Sequence, residues 1–138
     1  MKARGTGTGW VLERMIIPAL DAGGYGYSVR VNVGSRLGQG IHFVDVVATK
    51  EERRLLISLK WQQVSGTAEQ KIPYEVICLA ATLEEKRHDK AYLVLGGEGW
   101  KLRSFYVSGA LSKYVRGIEN VEIVTLENFV AKANRGLL

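Results

Sequence analysis

The sequence has little cysteine, little proline and no long apolar run, and each shortage excludes a class of protein. A single cysteine, Cys78, excludes an intrachain disulfide framework and a cysteine-based zinc site. One isolated thiol is typical of a reducing compartment, so we expect a cytoplasmic protein. No stretch approaches the roughly 18 apolar residues of a membrane span, and no signal peptide is recognisable. We therefore expect no membrane partner.

The composition is that of one globular domain with an excess of positive charge. The 138 residues are enough for a single hydrophobic core and too few for two, so we expect one domain over residues 1–138. Apolar residues make up 46% and charged residues 24%, as in ordinary soluble domains. Nineteen basic against fourteen acidic residues give a net charge of +5, which permits a polyanionic partner without requiring one.

Hydrophobic periodicity predicts helices and strands in the order α-β-β-β-α-β-α-β-α. Helices are predicted over residues 9–21, 67–83, 104–114 and 126–134, and strands over residues 25–33, 41–48, 55–61, 91–95 and 121–125. We expect Pro18 and Pro73 to disturb the first two helices, and a flexible glycine-rich loop over residues 34–40. The short links between the first three strands predict an antiparallel meander.

Two charged residues fall within predicted strands, where apolar side chains are the ordinary choice. Asp45 lies in strand 41–48, and Lys60 lies near the end of strand 55–61 (LLISLKW). Because side chains alternate between the faces of a strand, Ser58 and Lys60 point to one side. Leu55, Ile57 and Leu59 point to the other. A lysine here suits a site where a carboxylate binds a metal and a phosphate, although Asp45 could simply pair with Lys60. The pattern indicates a divalent-metal phosphodiesterase.

This order of elements, with Asp45 on the second strand and Lys60 on the third, resembles the PD-(D/E)XK nuclease superfamily, in particular its restriction-endonuclease-like and Holliday-junction-resolvase-like branches. The family's Pro-Asp corresponds to Val44-Asp45, and its (D/E)-X-Lys tripeptide to Ser58-Leu59-Lys60. The resemblance covers residues 9–95. It implies an α/β fold (α+β by some schemes) with an αβββαβ core, a mixed central sheet flanked by helices, and a C-terminal βα extension.

The resemblance also implies a site for Mg²⁺, for which Mn²⁺ can substitute. Asp45 would bind the metal, together with Glu13 from the first helix and the backbone carbonyl of Leu59. Hard divalent ions prefer such oxygen ligands, and Mg²⁺ keeps several waters, so a few protein oxygens suffice.

The acid missing from the family tripeptide is expected from the helix that follows. Ser58 is a weaker ligand than a carboxylate, and it could bind only through its hydroxyl or a metal-bound water. Glu69 is nearer to the strand in sequence, and Glu75 is the alternative. Lys60 would activate water and stabilise developing negative charge, and Gln62 would contact the substrate phosphate.

Basic residues around this site predict DNA as the partner, because phosphate contacts require lysine and arginine. One group flanks the first strands and another surrounds the third helix: Arg30, Arg36, Lys50, Arg53 and Arg54, then Lys101, Arg103, Lys113 and Arg116. Cutting both strands of a duplex requires two active sites, so we expect a homodimer or higher homo-oligomer.

The sequence therefore predicts a metal-dependent DNA endonuclease that hydrolyses phosphodiester bonds. Restriction-like, homing or mobile-element, and junction-resolving roles are not separable from the sequence. One alternative is a catalytically inactive DNA-binding domain on the same fold, and another is a small-ligand α/β protein of unrelated ancestry. We expect His42 to lie on the face of its strand opposite Asp45 and to be structural.

Overall fold

Five strands form one mixed sheet in the computed structural model, which describes residues 8–138. They lie side by side in chain order: β1 (Gly26–Arg36), β2 (Gln39–Lys50), β3 (Arg53–Trp61), β4 (Lys90–Gly96) and β5 (Val121–Thr125). β1–β2 and β2–β3 are antiparallel, whereas β3–β4 and β4–β5 are parallel. This confirms the predicted α/β class, the mixed sheet and the meander of the first three strands.

Two-residue turns join the first three strands. Leu37 and Gly38 have φ of 54° and 85°, and Glu51 and Glu52 have φ of 53° and 71°. Two consecutive positive φ angles are characteristic of type I′ turns, whose twist fits antiparallel strands. The flexible loop predicted over residues 34–40 is therefore wrong, because most of it is strand and only two residues turn.

Helices cover both faces of the sheet. They are α1 (Thr8–Val11), α2 (Ile17–Ala22), α3 (Ile72–Leu83), α4 (Arg103–Val107) and α5 (Leu126–Asn134). A π-helical turn, Leu12–Ile16, joins α1 to α2, and the N–H of Ile17 bonds to the carbonyl of Leu12. Pro18 follows directly, and because it lacks an N–H, the regular α pattern cannot continue through it. The predicted disturbance at Pro18 thus takes the form of a π turn.

The other predicted helices differ in how they begin or end. A 3₁₀ turn, Thr67–Lys71, precedes α3 and sets Pro73 in the first turn of that helix, where a missing N–H is harmless. The helix predicted over residues 104–114 is too long, since α4 ends at Val107. Gly109 has φ of 84°, which interrupts the helix before a short 3₁₀ turn.

The side chains of β3 divide between two hydrophobic layers. Leu55, Ile57 and Leu59 pack with the helices α2 and α5, whereas Leu56 packs on the other face with α3. Burying one such side chain contributes about 1.5–3 kcal/mol. Ser58 is buried on the α3 face and forgoes that gain, which suggests a role other than packing.

No helix within residues 8–138 combines the length and apolarity needed to cross a membrane.

Candidate active site

The hydrogen-bonded ladder between β2 and β3 ends beside Asp45, and the candidate site begins there. Paired residues run from Lys50 and Arg53 to Val46 and Ile57. Beyond them the Asp45 carboxylate accepts the backbone N–H of Leu59, with 2.7 Å between N and Oδ2. A side chain thus takes the place of a backbone acceptor and fixes a carboxylate against β3.

The environment of Asp45 favours a bound cation. Burial raises the pKa of its carboxyl group, and the nearby Glu75 carboxylate raises it further, while the Leu59 N–H and the Lys60 ammonium act in the opposite direction. The net result is a pKa above the ordinary value. A positive charge placed between the carboxylates of Asp45 and Glu75 would offset both the cost of burying the Asp45 charge and the repulsion from Glu75.

Glu75, on the first turn of α3, lies beside the serine of the Ser58-Leu59-Lys60 tripeptide. Its side chain is 4% exposed. The Ser58 hydroxyl donates to Oε2 of Glu75 at 3.0 Å, and Nη1 of Arg36 donates to Oε1 at 2.9 Å. Nζ of Lys60 lies 4.0 Å from the same Oε1. The structure therefore brings the carboxylate and the ammonium together beside the end of β3.

His42 is a neighbour of Glu75 that sequence reasoning treated as merely structural. It is fully buried, with Nε2 3.6 Å from Oε2 of Glu75 and Nδ1 3.3 Å from the Thr82 hydroxyl. Burial raises the pKa of Glu75, but the nearby His42 imidazole, the hydrogen bond from Arg36 and the charge of Lys60 outweigh it and lower the pKa to about 2. Glu75 is therefore ionised at neutral pH.

Glu13 lies in the π-helical turn and lines a cavity of about 430 Å³ together with Asp45 and Arg30. This placement agrees with the position predicted for it. Across residues 8–138, however, no three His, Cys, Asp or Glu side chains converge as a metal-ligand cluster. Glu13 shares a cavity with Asp45 without completing a cage of carboxylates.

Glu69 does not lie where the sequence predicted it. Its carboxylate accepts the backbone N–H groups of Lys101, at 3.0 Å, and Leu102, at 2.6 Å. The Lys101 N–H is the main cause of a lowered pKa at Glu69. Both oxygens are thus engaged in holding the segment before α4, whereas the carboxylate of the alternative, Glu75, lies beside Ser58.

Gln62 also has a different role from the one predicted. Its Nε2 donates to the carbonyl of Gly99 at 2.8 Å, and its Oε1 accepts the N–H of Ala68 at 3.1 Å. The side chain is buried. Gln62 thus joins two loops, and its polar atoms are not available for a substrate phosphate.

The predicted DNA-binding residues divide into those near the site and those with other partners. Arg30 is exposed, lines the Asp45 cavity and stacks its guanidinium 4.9 Å from the ring centre of Phe43. Arg36 pairs with Glu75 and lies 5.8 Å from the ring centre of Tyr74. Arg36 is therefore part of the site itself.

Three other predicted DNA-binding residues donate to backbone carbonyls. Nζ of Lys50 bonds to Gly23 at 2.8 Å, and Nη1 of Arg53 bonds to Leu138 at 2.6 Å. Nη2 of Arg103 bonds to Gly97 at 2.7 Å. The sequence did not predict these bonds, which connect distant segments, so the structure gives these cations a folding role. Lys101 is exposed.

The strand order, the Asp45 carboxylate bonded to the N–H of Leu59 and the Glu75 carboxylate 4.0 Å from Lys60 define a nuclease-like α/β fold with acidic residues along β3. A family model described as a PD-(D/E)XK nuclease superfamily domain matches residues 4–137. The chain belongs to this superfamily. The membership confirms the resemblance and contradicts the alternative of a small-ligand protein of unrelated ancestry.

One solved structure, "Crystal Structure of Protein of Unknown Function AF1548", is similar in fold, with a TM-score of 0.50 and 13% sequence identity. The similarity covers 80% of this chain and 54% of that chain, so the present chain spans about half the length of that protein. At this identity the likeness concerns the fold alone. No curated protein matches the chain.

Proposed function

We propose that the protein is a metal-dependent DNA endonuclease that hydrolyses phosphodiester bonds. The observation that carries this proposal is that two acids flank the last residues of β3: Glu75 lies 4.0 Å from Lys60, and Asp45 bonds to the N–H of Leu59. Restriction-like, mobile-element and junction-resolving cleavage all fit this grouping.

The oxygen donors present suit Mg²⁺, with Mn²⁺ as a substitute. The carboxylates of Asp45 and Glu75 and the carbonyl of Leu59 would hold the ion, and Glu13 is a further candidate from the same cavity as Asp45. All of these are hard oxygen ligands, and Mg²⁺ retains several waters, so the lack of a third nearby carboxylate among residues 8–138 is no obstacle. Bound there, the ion would supply a water of lowered pKa and polarise the phosphate.

The other side chains of the site would orient Glu75 and the attacking water and would neutralise negative charge on the phosphate. Lys60, 35% exposed, can hold an attacking water or stabilise the negative charge that develops on the phosphate. Ser58 fixes the direction of one Glu75 oxygen through its hydrogen bond. Arg36 and His42 keep Glu75 ionised. Ser58 therefore contributes by positioning the acid.

DNA is the proposed substrate, since the chain carries a net charge of +5 and Arg30 stands exposed beside the Asp45 cavity. Lys101 is a further exposed cation for a phosphate. We propose a homodimer or higher homo-oligomer, because duplex cleavage needs two sites, and a cytoplasmic location for a protein with one unpaired thiol.

Incubation with supercoiled plasmid and a synthetic four-way junction, in Mg²⁺, Mn²⁺ or EDTA, tests the proposal. We expect metal-dependent cleavage that is lost in Asp45→Asn, Glu75→Gln and Lys60→Met. Glu84→Gln is the matched control, because Glu84 is exposed at the other end of α3. A wild-type rate in Glu75→Gln would remove this residue from the mechanism.

The second candidate function is a catalytically inactive DNA-binding domain. The ion pair of Arg36 with Glu75 favours it, because an acid already neutralised by an arginine has less need of a metal. In the same experiment this alternative predicts a shifted gel mobility of the DNA in every buffer, with no cleavage by the wild type.

A further inference from the structure

A second cavity, of about 680 Å³, opens between β1, the start of β3 and the segment that follows α3. The ionisable side chains that line it are Arg54, Arg87 and His88. Asn32 and Gly34 form part of the opposite wall. The cavity therefore gathers cationic groups, and no acidic side chain from residues 8–138 lines it.

The two arginines of this cavity are only partly paired with acids. The Arg54 guanidinium makes no hydrogen bond or ion pair within residues 8–138, although its backbone N–H donates to Asp89 at 2.7 Å. Arg87 pairs with Glu85, but both side chains are largely exposed, and exposed ion pairs are weak. Within the same part of the chain, the buried Nδ1 of His88 has no hydrogen-bond partner.

The positive charges also act on one another. Burial lowers the pKa of His88, and the charges of Arg54 and Arg87 lower it further, against smaller opposing effects of Asp89 and Glu85. This effect places both guanidinium groups near one imidazole. Like charges brought together in a concave site raise the local potential, and an anion held between them would offset the repulsion.

The cavity is distinct from the candidate active site. Arg54 lies near the start of β3 and Lys60 near its end, and at 3.3 Å per residue they lie about 20 Å apart. A nucleic-acid strand advances by a similar distance in about six nucleotides. One bound strand could therefore contact both places.

We propose that Arg54, Arg87 and His88 bind a phosphate group in the backbone of the nucleic acid whose cleavage is proposed at Asp45 and Glu75. This inference rests on the proposed function. The guanidinium fork matches two phosphate oxygens, and the unpartnered imidazole nitrogen can bond to a third. The cavity would hold the strand in register far from the cleaved bond.

The dependence of DNA affinity on salt tests the proposal. Fluorescence anisotropy with a labelled duplex in EDTA avoids cleavage, and the logarithm of the association constant is plotted against that of the salt concentration. Removing one phosphate interaction with a duplex reduces the slope by about 0.9. We expect this reduction in Arg54→Gln and Arg87→Gln, and none in Arg135→Gln, which removes an exposed arginine outside the cavity.

The outcomes separate this inference from the proposed function. If the wild type binds DNA and the cavity variants keep its slope, the inference fails and the nuclease proposal stands. If the wild type binds no DNA, both fail. Thermal unfolding verifies that the variants fold, and His88→Gln offers a third substitution should an arginine variant unfold.

NMR of the imidazole resonances identifies the source of the phosphate. The chain has two histidines, and His42 lies beside Glu75, so its signals report binding at the candidate active site while those of His88 report binding at the cavity. We expect the His88 signals to shift on addition of the oligonucleotide, and this shift to disappear in Arg54→Gln. A saturable shift with inorganic phosphate but none with DNA would overturn the assignment to a nucleic-acid backbone.

Discussion

The Ser58 hydroxyl donates a hydrogen bond to Glu75 across 3.0 Å, which joins β3 to α3 inside the candidate site. Ser58 occupies the strand position at which the superfamily motif has an acid, and Glu75 supplies a carboxylate to that position from the helix. The proposed function assigns the part of that acid to Glu75.

Returning the acid to the strand is the first test of this relationship. Glu75→Gln should lower the cleavage rate by at least about 100-fold, since it removes one of the two carboxylates. Adding Ser58→Asp to that variant should restore part of the rate, because a carboxylate returns to the same location. Single-turnover plasmid cleavage measures both.

The single substitution Ser58→Asp is the control for this pair. It places a second carboxylate against Glu75, and like charges that close destabilise the folded protein. We expect a lower unfolding temperature than in the wild type. No recovery in the double variant, with the fold intact, would contradict this assignment to Glu75.

Stability should depend on pH through Glu75. Its folded pKa is about 2, below the ordinary value of 4.5, so its contribution is fully present above the unfolded pKa and is lost as pH falls towards 2. This lowering of the pKa corresponds to about 3 kcal/mol in the free energy of unfolding at neutral pH. The Glu75→Gln variant lacks this contribution to the free energy of unfolding at every pH.

Urea unfolding in EDTA at pH 7, 4 and 2.5 measures this difference. The free energy of unfolding of the wild type should exceed that of Glu75→Gln most at pH 7. This difference should become smaller as the pH falls below about 4.5. Glu84→Gln, at the exposed end of the same helix, should show no such trend. A difference in the free energy of unfolding that grows towards low pH would contradict this prediction.

Glu69 provides a contrasting prediction. Because its oxygens accept the N–H groups of Lys101 and Leu102, Glu69→Ala should leave these donors unpaired and lower the unfolding temperature. The metal-dependent cleavage rate, measured well below that temperature, should stay near the wild-type value. A loss of metal dependence with unchanged stability would return Glu69 to the site.

The elements that were correctly located carry strong local signals. β5 and α5 were predicted with the bounds the structure has, since the strand ends at Thr125, whose hydroxyl accepts the N–H of Asn128 as a helix cap. The hairpin between β1 and β2 was misjudged because its glycines are typical of loops. Their pairing with a strand across the turn is not a local property.

The composition of the site was only partly predictable for a similar reason. Asp45 and Lys60 could be selected as candidates from the sequence, because they are charged residues within two apolar strands that are predicted to be neighbours. The choice between Glu69 and Glu75 depends on the 3₁₀ turn that begins at Thr67, which sets the direction of each side chain. The partners Arg36 and His42 come from the hairpin of β1 and β2, which is distant from α3 in the sequence. No hydrophobic periodicity relates them to α3.

Arg36 and Arg30 offer a matched pair for the last prediction, since both are arginines of β1 near the site. Arg36 bonds to Glu75, whereas Arg30 stacks on Phe43 beside the Asp45 cavity. If Arg36 positions the acid, Arg36→Gln should lower the rate at saturating DNA by about 10-fold or more and leave DNA affinity almost unchanged. Arg30→Gln should weaken DNA affinity and preserve the saturating rate, because it removes an exposed cation that can reach phosphate. Anisotropy and single-turnover cleavage separate the two effects, and equal losses of affinity in both variants would mean that Arg36 touches DNA directly.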